Sequence, residues 1–242
     1  MENTHPDIKW VIMKREAKEL QTAREMFPVE VARASRKFHR QIPGYAMSPL
    51  RALPNLAHMF GVGGIWVKDE SVRLELNSFK VLGGSFALYR FIQDKLGLAD
   101  EQMNYDYLTS AEVKRKLGDI TFASATDGNH GRGIAWAAQK LGFKCVIYVH
   151  AETSARRIDA IKSYGARVEV IDGNYDDAVR QIVVDAGKNG WEIISDTSWE
   201  GYSKVPGWIM QGYTTMTAEI QEQLSAQGLT KPTHIFVQAE IG

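Results

Sequence analysis

The chain has 242 residues, of which 44% are hydrophobic, enough for one large domain or two modest ones. Its 29 basic and 29 acidic side chains give a formal net charge of 0, which argues against a basic nucleic-acid-binding surface. Mean hydropathy is −0.27, and no apolar run approaches the ~20 residues that span a bilayer. One cysteine, Cys145, excludes an internal disulfide and a cysteine-based zinc site. We therefore expect a soluble, cytoplasmic α/β protein with neither nucleic-acid nor membrane partners and no bound metal.

The first half of the chain predicts helices and one short strand. The apolar residues 65–67 predict a strand that ends at charged residues. Gly83 and Gly84 precede a pattern typical of a helix, in which apolar residues recur at intervals of three and four. These residues are Phe86, Tyr89, Ile92 and Leu96. Residues 97–119 are polar and predict an excursion over the surface.

From residue 120 onward, apolar runs alternate regularly with helical patterns. Predicted strands cover residues 120–125, 144–149, 167–171 and 192–195, and predicted helices cover 131–141, 155–164 and 176–188. This alternation is typical of βαβ units, so we expect a parallel sheet with helices on both faces. A later helix has its predicted inward positions at Tyr213, Met216, Ile220 and Leu224, and residues 234–237 predict one more strand.

The first segment that could carry chemistry surrounds Lys80. This lysine lies in an apolar, glycine-containing stretch, residues 77–84, near the predicted start of a helix. Desolvation and the positive end of a helix both disfavour an ammonium there, and a neutral amine is what Schiff-base chemistry requires. The same position also fits an ordinary lysine that keeps its charge in water.

Two further polar segments directly follow predicted strands. Residues 124–131 read Ser-Ala-Thr-Asp-Gly-Asn-His-Gly between a strand and a helix, and residues 195–202 follow the last strand of the alternating series. Because α/β folds bind ligands at the carboxyl ends of parallel strands, both segments are candidate site elements. A capping turn and a polar loop with one half-buried tryptophan explain the same residues without a ligand.

Taken in order, these segments resemble the fold-type II family of pyridoxal-phosphate enzymes. That family's pattern is a Schiff-base lysine followed by a strand, a (Ser/Asp)-Gly-Asn-His-Gly turn and a helix. Within the family the chain most resembles the diaminopropionate ammonia-lyases, over residues 30–239. The matching stretches are residues 67–71, 77–84, 126–133, 174–177, 196–202 and 208–213.

The resemblance implies a cofactor role for four residues. Lys80 would hold pyridoxal 5′-phosphate covalently and act again as a base during the reaction. Phe79 would pack near the pyridine ring, and Asn129 would hydrogen-bond the ring hydroxyl oxygen. Gly128 would belong to the same cofactor-binding turn.

Two carboxylates would serve the substrate. The resemblance implies that Asp127 is a second acid/base on the face of the substrate opposite Lys80, and that Asp196 helps to hold the distal ammonium of the substrate. Asp127 favours the ammonia-lyase branch, because many relatives with other substrates carry a small residue there. The implied reaction converts the small amino acid 2,3-diaminopropionate to pyruvate and ammonia by α,β-elimination.

The resemblance also implies a tryptophan synthase β-like architecture in a homodimer. Residues 118–196 would form a smaller α/β domain, and residues 1–117 and 197–242 a larger cofactor domain. In this family a glycine-rich phosphate loop follows the strand corresponding to residues 234–238, and this sequence ends at Gly242. We therefore expect an incomplete larger domain and weak or lost activity.

Two alternatives stay open at this point. One is a threonine dehydratase-like or cysteine synthase-like enzyme of the same fold. The other is a non-catalytic fragment, or a subunit that another chain completes.

Overall fold

The computed structural model describes residues 17–126 and 128–237 as an α/β fold. The strands are β1 Leu50–Ala52, β2 Trp66–Lys68, β3 Thr121–Ala125, β4 Lys144–His150, β5 Arg167–Ile171 and β6 Glu192–Ile193. The α-helices are α1 Ala17–Met26, α2 Val29–His39, α3 Pro54–Phe60, α4 Lys80–Leu96, α5 Tyr105–Leu108, α6 Ala111–Leu117, α7 Asn129–Leu141, α8 Ala155–Lys162, α9 Tyr175–Asn189 and α10 Lys204–Ser225. Two 3-10 segments cover Glu70–Glu75 and Asp100–Gln102.

Strands β3 to β6 form a parallel sheet in the order β5-β4-β3-β6. The chain moves outward from β3 to β5 and then returns to the other side of β3. The strand order therefore reverses between β3 and β6, and such a switch point opens a crevice at the carboxyl ends of the strands. The predicted parallel sheet is confirmed, and all its strands lie within residues 118–196. The division of the chain into two domains stays a prediction.

Alternating side chains of the sheet face two separate layers of helices. Phe122 and Ile147 are fully buried in the main core, which they share with Ile134 of α7. Ala123 and Val146 point to the opposite face and pack with Ile182 of α9. Helices therefore cover both faces of the sheet, as the apolar runs predicted.

Glycines inside helices allow α4, α7 and α10 to pack closely. A methyl group on Gly212 of α10 would lie 2.5 Å from the Leu82 carbonyl oxygen, and one on Gly133 of α7 would lie 3.1 Å from Val81 Cα. Helix α4 begins at Lys80, so the expectation that Gly83 precedes the helix is wrong. These glycines serve close helix packing instead of ending a helix, because a Cβ on Gly83 would clash with α10.

Three further expectations are also corrected. Residues 97–119 are no surface excursion, because Met103, Leu108 and Val113 are buried in the main core. Residues 234–237 pair with no strand in the described part of the chain and are exposed. In α10 the predicted inward residue Leu224 is buried and Tyr213 packs against the main core, but Met216 and Ile220 are only partly buried. The most deeply buried polar positions of this helix, Thr215 and Glu219, were not predicted.

Across the part of the chain that the structure describes, no helix combines the length and the apolar character needed to cross a membrane.

Candidate active site

Three elements meet at the switch point of the sheet and bring Lys80, His130 and Asp196 together. Lys80 is the first residue of α4, His130 lies in the first turn of α7, and Asp196 follows β6. Lys80 Nζ lies 2.7 Å from Asp196 Oδ2, and His130 Nδ1 lies 3.6 Å from the same oxygen. The side chain of Asp196 is only 13% exposed, so the ion pair is largely removed from water.

The turn between β3 and α7 is organised by Thr126. Its hydroxyl oxygen accepts hydrogen bonds from the backbone N–H groups of Gly128, at 2.9 Å, and Gly131, at 3.1 Å. The Asn129 side chain is exposed at this edge of the sheet, where it is free to meet a ligand. Asp127, for which we expect an acid/base role, lies outside the described residues.

Tyr202 holds the segment that follows β6. Its hydroxyl donates to the Ile193 carbonyl at 2.8 Å and accepts from the Ser195 N–H at 2.9 Å. The Tyr202 ring stacks on Trp199 with centroids 4.0 Å apart. These contacts close the loop and fix the backbone from which Asp196 projects, so the half-buried tryptophan of the sequence belongs to the support of the site.

Two aromatic rings that contact each other lie on one side of the Lys80 amine. Phe79 and Tyr213 meet edge to face with centroids 5.0 Å apart, and Lys80 Nζ lies 5.8 Å from one centroid and 5.9 Å from the other. The Tyr213 hydroxyl is buried and has no hydrogen-bond partner among the described residues. A planar group with polar substituents, attached to Lys80, fits this arrangement of aromatic surface and unpaired hydroxyl.

The electrostatics of the trio favour a charged Lys80–Asp196 pair. Burial raises the pKa of Asp196, but the neighbouring His130 and Lys80 lower it by more than burial raises it. The pKa of Asp196 therefore lies below its ordinary value. Burial lowers the pKa of His130, so the imidazole is neutral at neutral pH. The expectation that its surroundings disfavour the Lys80 ammonium omitted Asp196, whose carboxylate stabilises it.

A basic cleft of about 330 Å³ opens beside the first turn of α7. It is lined by Gly128, Asn129, Arg132, Ser154, Arg156, Arg157 and Ala160. Three guanidinium groups and the amide of Asn129 make this side of the site suited to an anionic group. No group of three or more potential metal ligands occurs among residues 17–126 and 128–237.

A buried ionic cluster supports the segment that leads to Lys80. Arg73 donates to both oxygens of Glu219, at 2.9 and 2.6 Å, and to both oxygens of Glu70. Lys68 Nζ lies 2.7 Å from Glu219. The arginine and Glu219 side chains are fully buried.

Three non-glycine residues with positive φ follow this cluster, namely Leu74, Glu75 and Asn77. Such backbone angles persist where the surroundings fix them. Arg73 holds the start of the segment, and Arg132 of α7 donates to the Leu76 carbonyl at 3.0 Å.

The predicted site residues are therefore largely assembled in one place. Lys80, Phe79 and Asp196 are brought together, while Gly128 and Asn129 lie on the turn at the same edge of the sheet. Reasoning from the sequence missed two participants, His130 and Tyr213. His130 directly follows Asn129, and a rotation of 100° per residue turns it from the exposed rim toward the sheet. Because the predicted helix began at residue 131, this rotation could not be applied to His130 from the sequence alone.

Comparisons with known proteins identify the family and the fold of the chain. The family model for pyridoxal-phosphate dependent enzymes matches residues 42–242. Diaminopropionate ammonia-lyase of Escherichia coli K12 is 47% identical over 217 residues, which cover 90% of this chain and 53% of that protein. The chain thus spans about half the length of the curated relatives it matches.

Two solved structures of the Escherichia coli lyase carry bound groups. The complex with D-serine superposes with a TM-score of 0.79 at 47% identity, covering 85% of this chain and 52% of that chain. The complex with an aminoacrylate-PLP azomethine reaction intermediate gives 0.77 at 46% identity, covering 85% and 51%. The expected fold class is confirmed. The chain belongs to the pyridoxal-phosphate dependent enzyme family and has the fold-type II architecture.

Proposed function

We propose that this protein is a pyridoxal-phosphate-dependent ammonia-lyase that converts 2,3-diaminopropionate to pyruvate and ammonia. The observation that carries the proposal is the Lys80–Asp196 pair, with two aromatic rings beside the Lys80 amine, in a chain 47% identical to such a lyase. We also propose a cytoplasmic homodimer in which residues 118–196 form the smaller domain.

Four residues of the chain would bind the cofactor. Lys80 Nζ would carry it covalently, and Phe79 would pack on its ring. Asn129 would hydrogen-bond the ring hydroxyl oxygen, and Gly128 would belong to the same cofactor-binding turn. When bound, pyridoxal phosphate supplies an electron sink for the negative charge left when the Cα proton is removed.

Two carboxylates would handle the substrate. Diaminopropionate carries two ammonium groups, and Asp196 would hold the distal one once Lys80 is engaged elsewhere. Asp127 would take or return a proton at Cα on the face opposite Lys80, so that one site serves both enantiomers. A partly buried carboxylate discriminates strongly in favour of a cationic side chain, since a neutral substrate would leave it unpaired.

Covalent mapping tests the cofactor assignment. The protein is incubated with pyridoxal phosphate, reduced with borohydride and digested, and the pyridoxyl group is expected on Lys80. Lys80→Ala should remove the label, whereas Lys204→Met should keep it. Lys204 is a matched control, because it also begins a helix and pairs with an aspartate at 2.7 Å. Labelling at Lys68 or Lys204 in the unaltered protein would overturn the assignment.

Substrate preference tests the reaction assignment. In a protein extended to the full length of the relatives, ammonia release from diaminopropionate is compared with turnover of L-threonine and of O-acetylserine. We expect diaminopropionate to have the highest kcat/KM of the three substrates. Asp196→Asn should reduce the ratio of this kcat/KM to the values for the other two. A higher kcat/KM for threonine or O-acetylserine would favour the dehydratase-like or synthase-like alternative.

A further inference from the structure

His130 has an unused nitrogen that faces Asp196. Its Nε2 lies 2.9 Å from the Ile194 carbonyl oxygen, and because a carbonyl can only accept, Nε2 carries the hydrogen. In the neutral ring Nδ1 is then a bare acceptor. Nδ1 is buried without a hydrogen-bond partner among the described residues, and Asp196 Oδ2 lies 3.6 Å away. Asp196 Oδ2 already accepts from Lys80, so Nδ1 is the atom left without a donor, and a proton placed on Nδ1 would face Asp196 Oδ2.

Lys80 has the opposite problem. It is held beside Asp196 as an ammonium, but both tasks that the proposed function gives it, attack on an aldehyde and removal of a proton, need a neutral amine. A group that accepts the proton of Lys80 without releasing it to solvent would resolve this conflict. His130 shares Asp196 Oδ2 with Lys80 and is 4% exposed, so it is such a group.

We propose that His130 stores the proton that Lys80 must lose, with Asp196 as the relay. An N–H bond at Lys80 Nζ breaks, an N–H bond at His130 Nδ1 forms, and the Asp196 oxygen between them carries the proton across. The trio changes from ammonium, carboxylate and neutral imidazole to neutral amine, carboxylate and imidazolium. Its net charge is zero before and after, so no charge enters or leaves the buried site. His130 touches neither substrate nor cofactor in this scheme and is a positioning residue for the proton.

The charged groups around His130 support this coupling. Burial has the largest effect on the pKa of His130 and lowers it. Asp196 raises this pKa, and the charge of Lys80 lowers it in addition to burial. On the remaining sides the trio meets the hydroxyl groups of Tyr213 and Tyr202, and both have a pKa raised by burial, so they stay neutral. Asp127, in the same turn as His130, lies outside the described residues. Loss of the Lys80 charge thus removes one of the two influences that lower the pKa of His130, burial being the larger of the two.

Nuclear magnetic resonance of ¹⁵N-histidine in the cofactor-free protein tests the coupling directly. We expect hydrogen on Nε2 in the neutral ring, and a titration midpoint that rises by about one pH unit or more in Lys80→Met, because a nearby cation is removed. Asp196→Asn should lower the midpoint. The control Lys204→Met should leave it unchanged. A midpoint equal in Lys80→Met and the unaltered protein, or hydrogen on Nδ1 of the neutral ring, would overturn the proposal.

A second readout follows the reactivity of Lys80 itself. Borohydride trapping of pyridoxal phosphate at Lys80 is measured against pH, and His130→Asn should shift the profile upward by about one unit. An unshifted profile in a folded His130→Asn protein would count against the proposal. The inference rests on the proposed function for the use of the neutral amine. The titration of His130 needs neither cofactor nor turnover, so failure of the lyase assignment and failure of the proton store are distinguishable.

Discussion

Replacing Glu219 by glutamine is expected to destabilise the protein by about 3–5 kcal/mol, because it leaves buried cations without their counter-charge. Glu219 is fully buried, pairs with Arg73 and Lys68, and accepts from the Tyr45 hydroxyl. The cluster of Glu70, Glu219, Arg73 and Lys68 has two charges of each sign. Glutamine keeps the shape and the hydrogen-bonding oxygen but leaves an excess of one positive charge.

The pKa of Glu219 gives a second route to the same magnitude. Burial raises this pKa, but the hydrogen bonds from Arg73, Lys68 and Tyr45 outweigh burial and bring it from 4.5 to about 2. The difference of about 2.5 units corresponds to about 3 kcal/mol at 1.36 kcal/mol per unit. Because the folded-state pKa is depressed, this stability is fully present above pH 4.5 and is lost as pH falls toward about 2.

Urea unfolding followed by circular dichroism, at pH 7 and at intervals down to pH 3, measures both effects. Glu222→Gln is the matched control, since Glu222 lies on the same helix and pairs with Arg36 and Arg40 but is half-exposed. The control should lose at most about 1 kcal/mol. The reasoning is refuted if Glu219→Gln is no more costly than Glu222→Gln, or if its free energy of unfolding keeps the pH dependence of the unaltered protein between pH 5 and 3.

Three other predictions follow from the contacts. Gly212→Ala should lower the free energy of unfolding by about 1–3 kcal/mol, because the added methyl group would meet backbone atoms of α4. Gly207→Ala places its methyl group in open space, so this control should leave the melting temperature unchanged or raise it. Tyr213→Phe should leave the free energy of unfolding in chemical denaturation unchanged, because the Tyr213 hydroxyl has no partner among the described residues. Tyr202→Phe loses two hydrogen bonds and should lower that free energy by about 1–3 kcal/mol; equal losses in the two variants would contradict this. In a protein extended to the full length of the relatives, Asp127→Asn should reduce kcat/KM for D-diaminopropionate about 10²–10⁴-fold and affect the L isomer less; an equal loss for both would refute a face-specific role.

The parallel sheet could be predicted because its strands are apolar runs separated by periodic helices. The start of α4 could not, since Gly83 and Gly84 look like helix breakers until α10 is placed against them. The burial of Glu219 could not be predicted either, because a charged residue in a helix is usually exposed. Its burial depends on Arg73 and Lys68, which are distant in sequence. Residues 234–237 have the composition of a strand, but a strand also needs a neighbouring backbone edge. Lys80, Phe79 and Asp196 were found through strand ends and resemblance, whereas His130 required the helix rotation to be known.

The trio at the switch point joins parts of the chain that are far apart in sequence. Lys80 and Asp196 are separated by 116 positions, and His130 contacts a carbonyl 64 positions away. Closing loops of this length costs chain entropy, which the packing of the sheet and helices between them must offset. During synthesis the Lys80 amine therefore emerges from the ribosome long before its carboxylate partner. A molecule that contacts both Lys80 and Asp196 binds the folded state only, because the two residues are close together only there. Adding such a molecule therefore shifts the equilibrium between unfolded and folded protein toward the folded state.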